Sequence, residues 1–236
     1  MEIVAHKINS RNALSGDGSL FGIRSEFDAI EKTGEVFMDR NSKNINQASR
    51  IEFDVIEQKG EVFLAHDLED INDDTLRLQD ALPLLQASNK DLMCDLKSYT
   101  PSVLEKVAQA FNSPCWQDRI IFTSHVAQDS RWLARQVPGA RSAWSIPQIN
   151  LTGVQVPTPR SEQDLLWWKA NITERILPSL AFNACDIIST QFELAVPDLI
   201  EAAHSYNKQV YAWTITSPQQ VLQMEQLGID GVVVDY

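Results

Sequence analysis

The sequence predicts a (β/α)8 barrel, on three observations. Eight short runs rich in Val, Ile and aromatic residues recur along the 236-residue chain. Segments of helical periodicity lie between several of them, and such alternation implies a parallel sheet with helical crossovers; eight strands fit a closed barrel, although an open doubly wound sheet would use the same alternation. Polar side chains also recur at or near the C-terminal ends of these runs, which a barrel gathers around one mouth. No Gly/Ser-rich or Pro-rich linker divides the chain, so one domain is expected over residues 1–236.

The first strand is expected in EIVAH (2–6) and the second in IEFDVI (51–56). LMCDLK (92–97), RIIFTS (119–124) and ARSAWSI (140–146) follow, then CDIIST (185–190), QVYAWTI (209–215) and DGVVVDY (230–236). Amphipathic helices are expected in TLRLQDALPLLQAS, in PSVLEKVAQAF and in VPDLIEAAHSYNK. A fourth, SPQQVLQMEQLG, opens with Ser-Pro and closes on Gly228, which are start and stop signals. The polar strand ends are His6, Lys7, Asp54, Asp95, Lys97, Ser124, Trp144 and Trp213.

Two of these runs carry paired charges. In Glu52-Phe-Asp54 the acids are two residues apart, so on a strand they face the same side. Like charges held that close oppose each other's ionisation unless a cation lies between them, and a hard ion such as Mg2+ or Ca2+ takes oxygen ligands. Asp95-Leu-Lys97 repeats the spacing with one acid and one base: a structural ion pair, or a third metal carboxylate beside an ammonium for a phosphoryl oxygen. His6 and His66 fall where a barrel would aim side chains into the mouth, and imidazole titrates near neutral pH. His125, just after the fourth strand, is a weaker mouth candidate, and His204 belongs to a helix and is expected to be structural.

A further feature is a repeat. EFDAIEKTGEVFMDRN (26–41) and EFDVIEQKGEVFLAHD (52–67) agree at nine of sixteen positions, but Asp39 and Arg40 in the first copy stand where Ala65 and His66 stand in the second. A barrel needs one second strand, and only the second copy holds the histidine. Residues 24–50 are therefore expected to be an inserted near-duplicate hairpin between strands 1 and 2, outside the barrel, with the polar DRNSKNINQASR stretch as its return connection, although the hydrophobic pattern of the two copies would equally allow Glu26 and Asp28 in the barrel.

Taken together, these motifs resemble the glycerophosphodiester phosphodiesterase family of TIM barrels. The family's AHRG, IExDV, HD and EIK are matched by AHKI (5–8), IEFDV (51–55), AHD (65–67) and DLK (95–97). The stretch from Ala202 to Tyr236 is similar to the family's AH helix, V-x-x-WTVN strand and closing GVDGIxTD. The resemblance implies a metal-dependent phosphodiester hydrolase acting on a small phosphodiester. Glu52, Asp54 and Asp95 would hold the divalent metal, Mg2+ or Ca2+. His6 and His66 would be acid and base, Lys97 would face the phosphate, and Lys7 and Trp213 would bind substrate. Lys7 replaces the family's arginine and Asp95 its glutamate; Ser124-His125 replaces Ser-Phe and Thr216 replaces Asn. Lys7 keeps the charge but loses the planar two-pronged donor. These departures leave two alternatives: a degenerate barrel that binds without turnover, or a lyase that stops at a cyclic phosphate.

Composition excludes several other classes. A formal charge of −12 without a Lys/Arg run opposes the counterion release on which nucleic-acid binding depends. No apolar run is long enough to span a bilayer, and MEIVAHKINS lacks a basic n-region followed by a long apolar stretch, so an unexported protein is expected. Three cysteines at spacings that fit neither zinc nor a disulfide framework point to a reducing cytoplasm.

Overall fold

Each of the eight expected runs forms a strand in the computed structural model, which describes residues 1–5, 49–88, 90–146, 163 and 185–234. The barrel strands are β1 (Glu2–Ala5), β2 (Arg50–Gln58), β4 (Asp91–Leu96), β5 (Ile120–Ser124), β6 (Arg141–Ser145), β7 (Ile187–Gln191), β8 (Gln209–Ile215) and β9 (Gly231–Val234). Neighbours pair in parallel around the ring, and β1 pairs with both β9 and β2. That closure excludes the open doubly wound sheet. His6, Lys7 and the first copy of the repeat lie outside the described residues.

A ninth strand, β3 (Glu61–Phe63), pairs antiparallel with the end of β2. The two residues joining them, Lys59 and Gly60, both have positive φ, as a tight hairpin turn whose twist matches its strands requires. The second copy of the repeat thus supplies the barrel strand and carries the hairpin beyond it. Arg50, expected at the end of the polar connection, is a buried strand residue. Its guanidinium donates to Glu2 (3.0 Å), to the carbonyls of Leu92 (2.9 Å) and Arg119 (3.1 Å), and to Asp91 (3.3 Å). An arginine with that many acceptors belongs inside despite its polarity.

The crossovers contain α1 (Leu78–Ala87), α2 (Pro101–Phe111), α3 (Ala127–Gln136), α4 (Pro197–Ser205) and α5 (Pro218–Gln226). Proline opens α2, α4 and α5, where its missing N–H is no loss. Thr100 caps α2 and Ser217 caps α5 through their hydroxyls. The periodicity had not singled out α3, which buries only Ser130 and Leu133.

Apolar side chains divide by strand parity. Val4, Met93, Ile121, Ala143, Ile187, Tyr211 and Val233 fill the barrel, while alternate residues pack outward against the helices. In the outer layer Phe111 of α2 meets Phe53, Phe122 and Trp116 at ring separations of 6.3, 5.8 and 5.4 Å. Emptying such a site by Phe→Ala costs about 3–5 kcal/mol.

Candidate active site

Strand parity places the acids. On β2, Ile51, Phe53 and Val55 join the outer core, so Glu52 and Asp54 face the lumen; on β4, Cys94 and Leu96 face outward and Asp95 inward. Asp54 and Asp95 are partners in the β2–β4 register. Glu52, Asp54 and Asp95 each offer an oxygen within 4.8 Å of the others, and Glu52 and Asp54 are only 4% and 1% exposed.

Lys97 reaches into this group. Its Nζ lies 3.1 Å from Asp54 Oδ1 and 2.6 Å from Asp95 Oδ2. The other oxygens, Asp54 Oδ2 and Asp95 Oδ1, are buried without a hydrogen-bond partner. Burial pushes the Asp95 carboxyl upward; Lys97 pulls it back and Asp54 pushes it further, leaving it above the ordinary value. Burial alone would lower Lys97, but Asp95, Asp54 and Glu52 outweigh it and hold the ammonium charged. Three carboxylates against one ammonium, with two buried oxygens lacking a donor, are a donor set that fits a hard divalent cation.

The other candidates divide. His66 follows the hairpin and is 37% exposed, with Nδ1 2.9 Å from Asp67 Oδ2. A carboxylate only accepts, so the shared proton sits on Nδ1 and, in neutral imidazole, the lone pair on Nε2. Trp213 packs partly buried against the lumen cluster, and its indole N–H has no partner. Two expected mouth residues face elsewhere. Trp144 belongs to the outer core and Ser124, its partner in the register, takes the same side. Standing at a strand end does not by itself turn a side chain inward. Ser124 accepts from the amide of Val126, and the Trp144 indole donates to the His125 carbonyl. His204 of α4 pairs with Asp230 at 2.9 Å, in keeping with a structural role.

An eight-stranded parallel barrel with a buried acidic cluster at its C-terminal mouth is the architecture of a barrel enzyme. The sequence model of the glycerophosphoryl diester phosphodiesterase family matches residues 84–236, and the chain belongs to that family. Its class is accordingly that of the phosphodiester hydrolases. The match includes Asp95, Lys97 and Trp213; Glu52 and Asp54 lie upstream of it and are tied to it by the β2–β4 pairing, and His66 lies upstream after the β2–β3 hairpin.

Solved structures agree on the fold. A glycerophosphodiester phosphodiesterase from Parabacteroides distasonis is 16% identical with a TM-score of 0.62, over 99% of this chain and 92% of the other. A phosphodiesterase from Oleispira antarctica, in complex with the product sn-glycerol-3-phosphate, is 12% identical with a TM-score of 0.62 over the same shares. A glycerophosphoryl diester phosphodiesterase candidate from Silicibacter pomeroyi is 15% identical with a TM-score of 0.65, over 99% and 89%. Among curated proteins none matches this chain in sequence.

Proposed function

We propose that the protein is a metal-dependent glycerophosphodiester phosphodiesterase that releases an alcohol and glycerol phosphate. The observation that carries this reading is the buried set of Glu52, Asp54 and Asp95 with its two unpartnered oxygens. These residues would hold Mg2+ or Ca2+, and the cation would supply charge neutralisation for the phosphoryl group.

The chain's own groups would do the remaining work. Lys97 has three N–H donors; two go to Asp54 and Asp95, leaving a third for a phosphoryl oxygen. His66, oriented by Asp67, offers Nε2 for proton transfer, and His6 is assigned the complementary step. One histidine removes the proton of an attacking substrate hydroxyl while the other protonates the leaving alcohol oxygen, giving a cyclic phosphate that water then opens to glycerol phosphate with the two proton-transfer roles reversed. Lys7 adds positive charge for the substrate, and the Trp213 ring packs against its alcohol end. We assign the whole of 1–236 to one domain with 24–49 as an insertion, since Arg50 opens β2. A cytoplasmic setting accords with three free cysteines and with the lack, among the described residues, of any helix long and apolar enough to cross a membrane.

The test is hydrolysis of a panel of glycerophosphodiesters with and without Mg2+ or Ca2+, products being followed by phosphorus NMR. Metal-dependent release of glycerol phosphate is expected, lowered about 10²–10⁴-fold in His66→Ala. A cyclic phosphate as end product would make the protein a lyase, and metal binding without turnover would make it a degenerate, binding barrel.

A further inference from the structure

His125 continues the lumen-facing series of β5. Ile121 lies in the barrel interior, Thr123 is the register partner of Asp95, and His125 stands two residues on, at the rim. Its position is fixed on several sides. Nδ1 lies 3.2 Å from the Ser145 carbonyl of β6, its own carbonyl accepts from the Trp144 indole at 3.3 Å, and the next amide, Val126, donates to Ser124 Oγ at 2.9 Å. The ring is half-buried, just past the strand that pairs with that of Asp95. It does not join the three carboxylates within their 4.8 Å, so it is not a fourth member of the acidic set.

The Ser145 carbonyl can only accept, so Nδ1 carries the proton and, in neutral imidazole, Nε2 holds the lone pair. Among the described residues Nε2 has no partner. A phosphoryl oxygen has no proton to give such an acceptor, whereas an alcohol does. We propose that His125 is a specificity-determining residue, whose Nε2 accepts a hydrogen bond from a free hydroxyl of the substrate's glycerol half. This rests on the phosphodiesterase reading above and adds to it a residue that selects for a hydroxylated alcohol. The family motif has phenylalanine here, so the contact would be particular to this chain.

The experiment compares wild type with His125→Asn, His125→Gln and His125→Phe. The Asn amide reaches the position of Nδ1 and keeps the Ser145 bond without Nε2, whereas the Gln amide reaches the position of Nε2. KM and kcat are measured on a glycerophosphodiester, together with inhibition by sn-glycerol 3-phosphate and by inorganic phosphate, on proteins whose folding is verified by thermal unfolding. In His125→Asn and His125→Phe, KM and the inhibition constant of sn-glycerol 3-phosphate should rise about tenfold, with inhibition by phosphate and kcat unchanged and partial rescue in His125→Gln. A wild-type profile in His125→Asn would make the residue structural and overturn the proposal. Equal weakening of phosphate and glycerol phosphate would make it a phosphoryl contact, and a fall in kcat at constant KM would make it a proton-transfer group; either overturns it. A wild-type protein that neither turns over the diester nor binds either ligand would instead overturn the phosphodiesterase reading, and this inference with it.

Discussion

The two ends of the barrel treat charge in opposite ways. At the base, Glu2 and Asp91 face Arg50, Arg119 and Arg141; Arg50 bridges the two acids, Arg119 reaches Asp91, Arg141 reaches Glu2, and the Tyr211 hydroxyl donates to Glu2. At the mouth, Glu52, Asp54 and Asp95 share one described ammonium, and two of their oxygens have no donor. None of the buried unpartnered atoms among the described residues belongs to the base network. Both ends bury ionisable groups, but only the base completes their pairing. A fold retains such tension where a ligand resolves it, whereas the completed network serves stability.

The largest expected effect tests the mouth. Asp54→Asn keeps the size of the side chain and removes one of three negative charges from a pocket of low solvent access. Turnover should fall about 10²–10³-fold, and calorimetric titration with Mg2+ or Ca2+ should show weakened binding. Because the change also relieves repulsion, the midpoint of thermal unfolding should hold or rise. A large fall in that midpoint with activity intact would mean that the acids at the mouth are structural, like those at the base.

Arg50→Met applies the converse test to the base. It removes the buried guanidinium from the carbonyls of Leu92 and Arg119 and from the partly exposed Glu2 and Asp91, which keep Arg141, Tyr211 and Arg119, and leaving buried acceptors unmet costs about 1–3 kcal/mol. Denaturant unfolding should register that loss while kcat of the folded fraction stays at the wild-type level; a changed kcat would mean that the two ends are coupled.

A smaller effect lies in the acid limb of stability. Burial pushes the Glu2 carboxyl up, but Arg50, the Tyr211 hydroxyl and Arg141 draw it down further, below its ordinary value of 4.5. A carboxylate with a lowered native pKa stabilises the fold fully above the unfolded value, and that contribution is lost as pH falls through the native one. Glu2→Gln should therefore flatten the decline of stability below about pH 4.5, as followed by thermal unfolding across pH. An unchanged acid limb would show that other carboxylates govern it.

The same contrast explains what was legible in the sequence. Strand positions could be read because β2 and β4 to β9 are short apolar runs between helical segments, and Glu52, Asp54, Asp95 and Lys97 because residues two apart share a face. Ser124 and Trp144 were misplaced because they were read from their strand-end position alone, whereas the same parity rule turns them outward. Arg50 read as turn material because its acceptors come from Glu2, Leu92, Asp91 and Arg119, which are remote in the chain. The grip of Lys97 on both Asp54 and Asp95 depends on the β2–β4 register, which pattern alone does not specify. His125 was a marginal candidate because its orienting partner, the Ser145 carbonyl, is a backbone group that no residue type announces.

The smallest expected effect concerns the hairpin that leads to His66. Gly60 has φ of 81°, and a Cβ built there would meet only Lys106 Nζ at 4.0 Å, so Gly60→Ala meets a backbone penalty with no steric clash. Forcing a side chain into the left-handed region costs about 1 kcal/mol. If the hairpin is a mechanical support for the mouth, the unfolding midpoint should fall by about 2–4 °C, as such a loss implies for a chain of this size, while KM and kcat hold. Should kcat fall by more than stability accounts for, the position of His66 would depend on the turn, and the boundary between support and mouth would lie at His66 itself, where the Asp67 contact is the only described hydrogen bond to the ring.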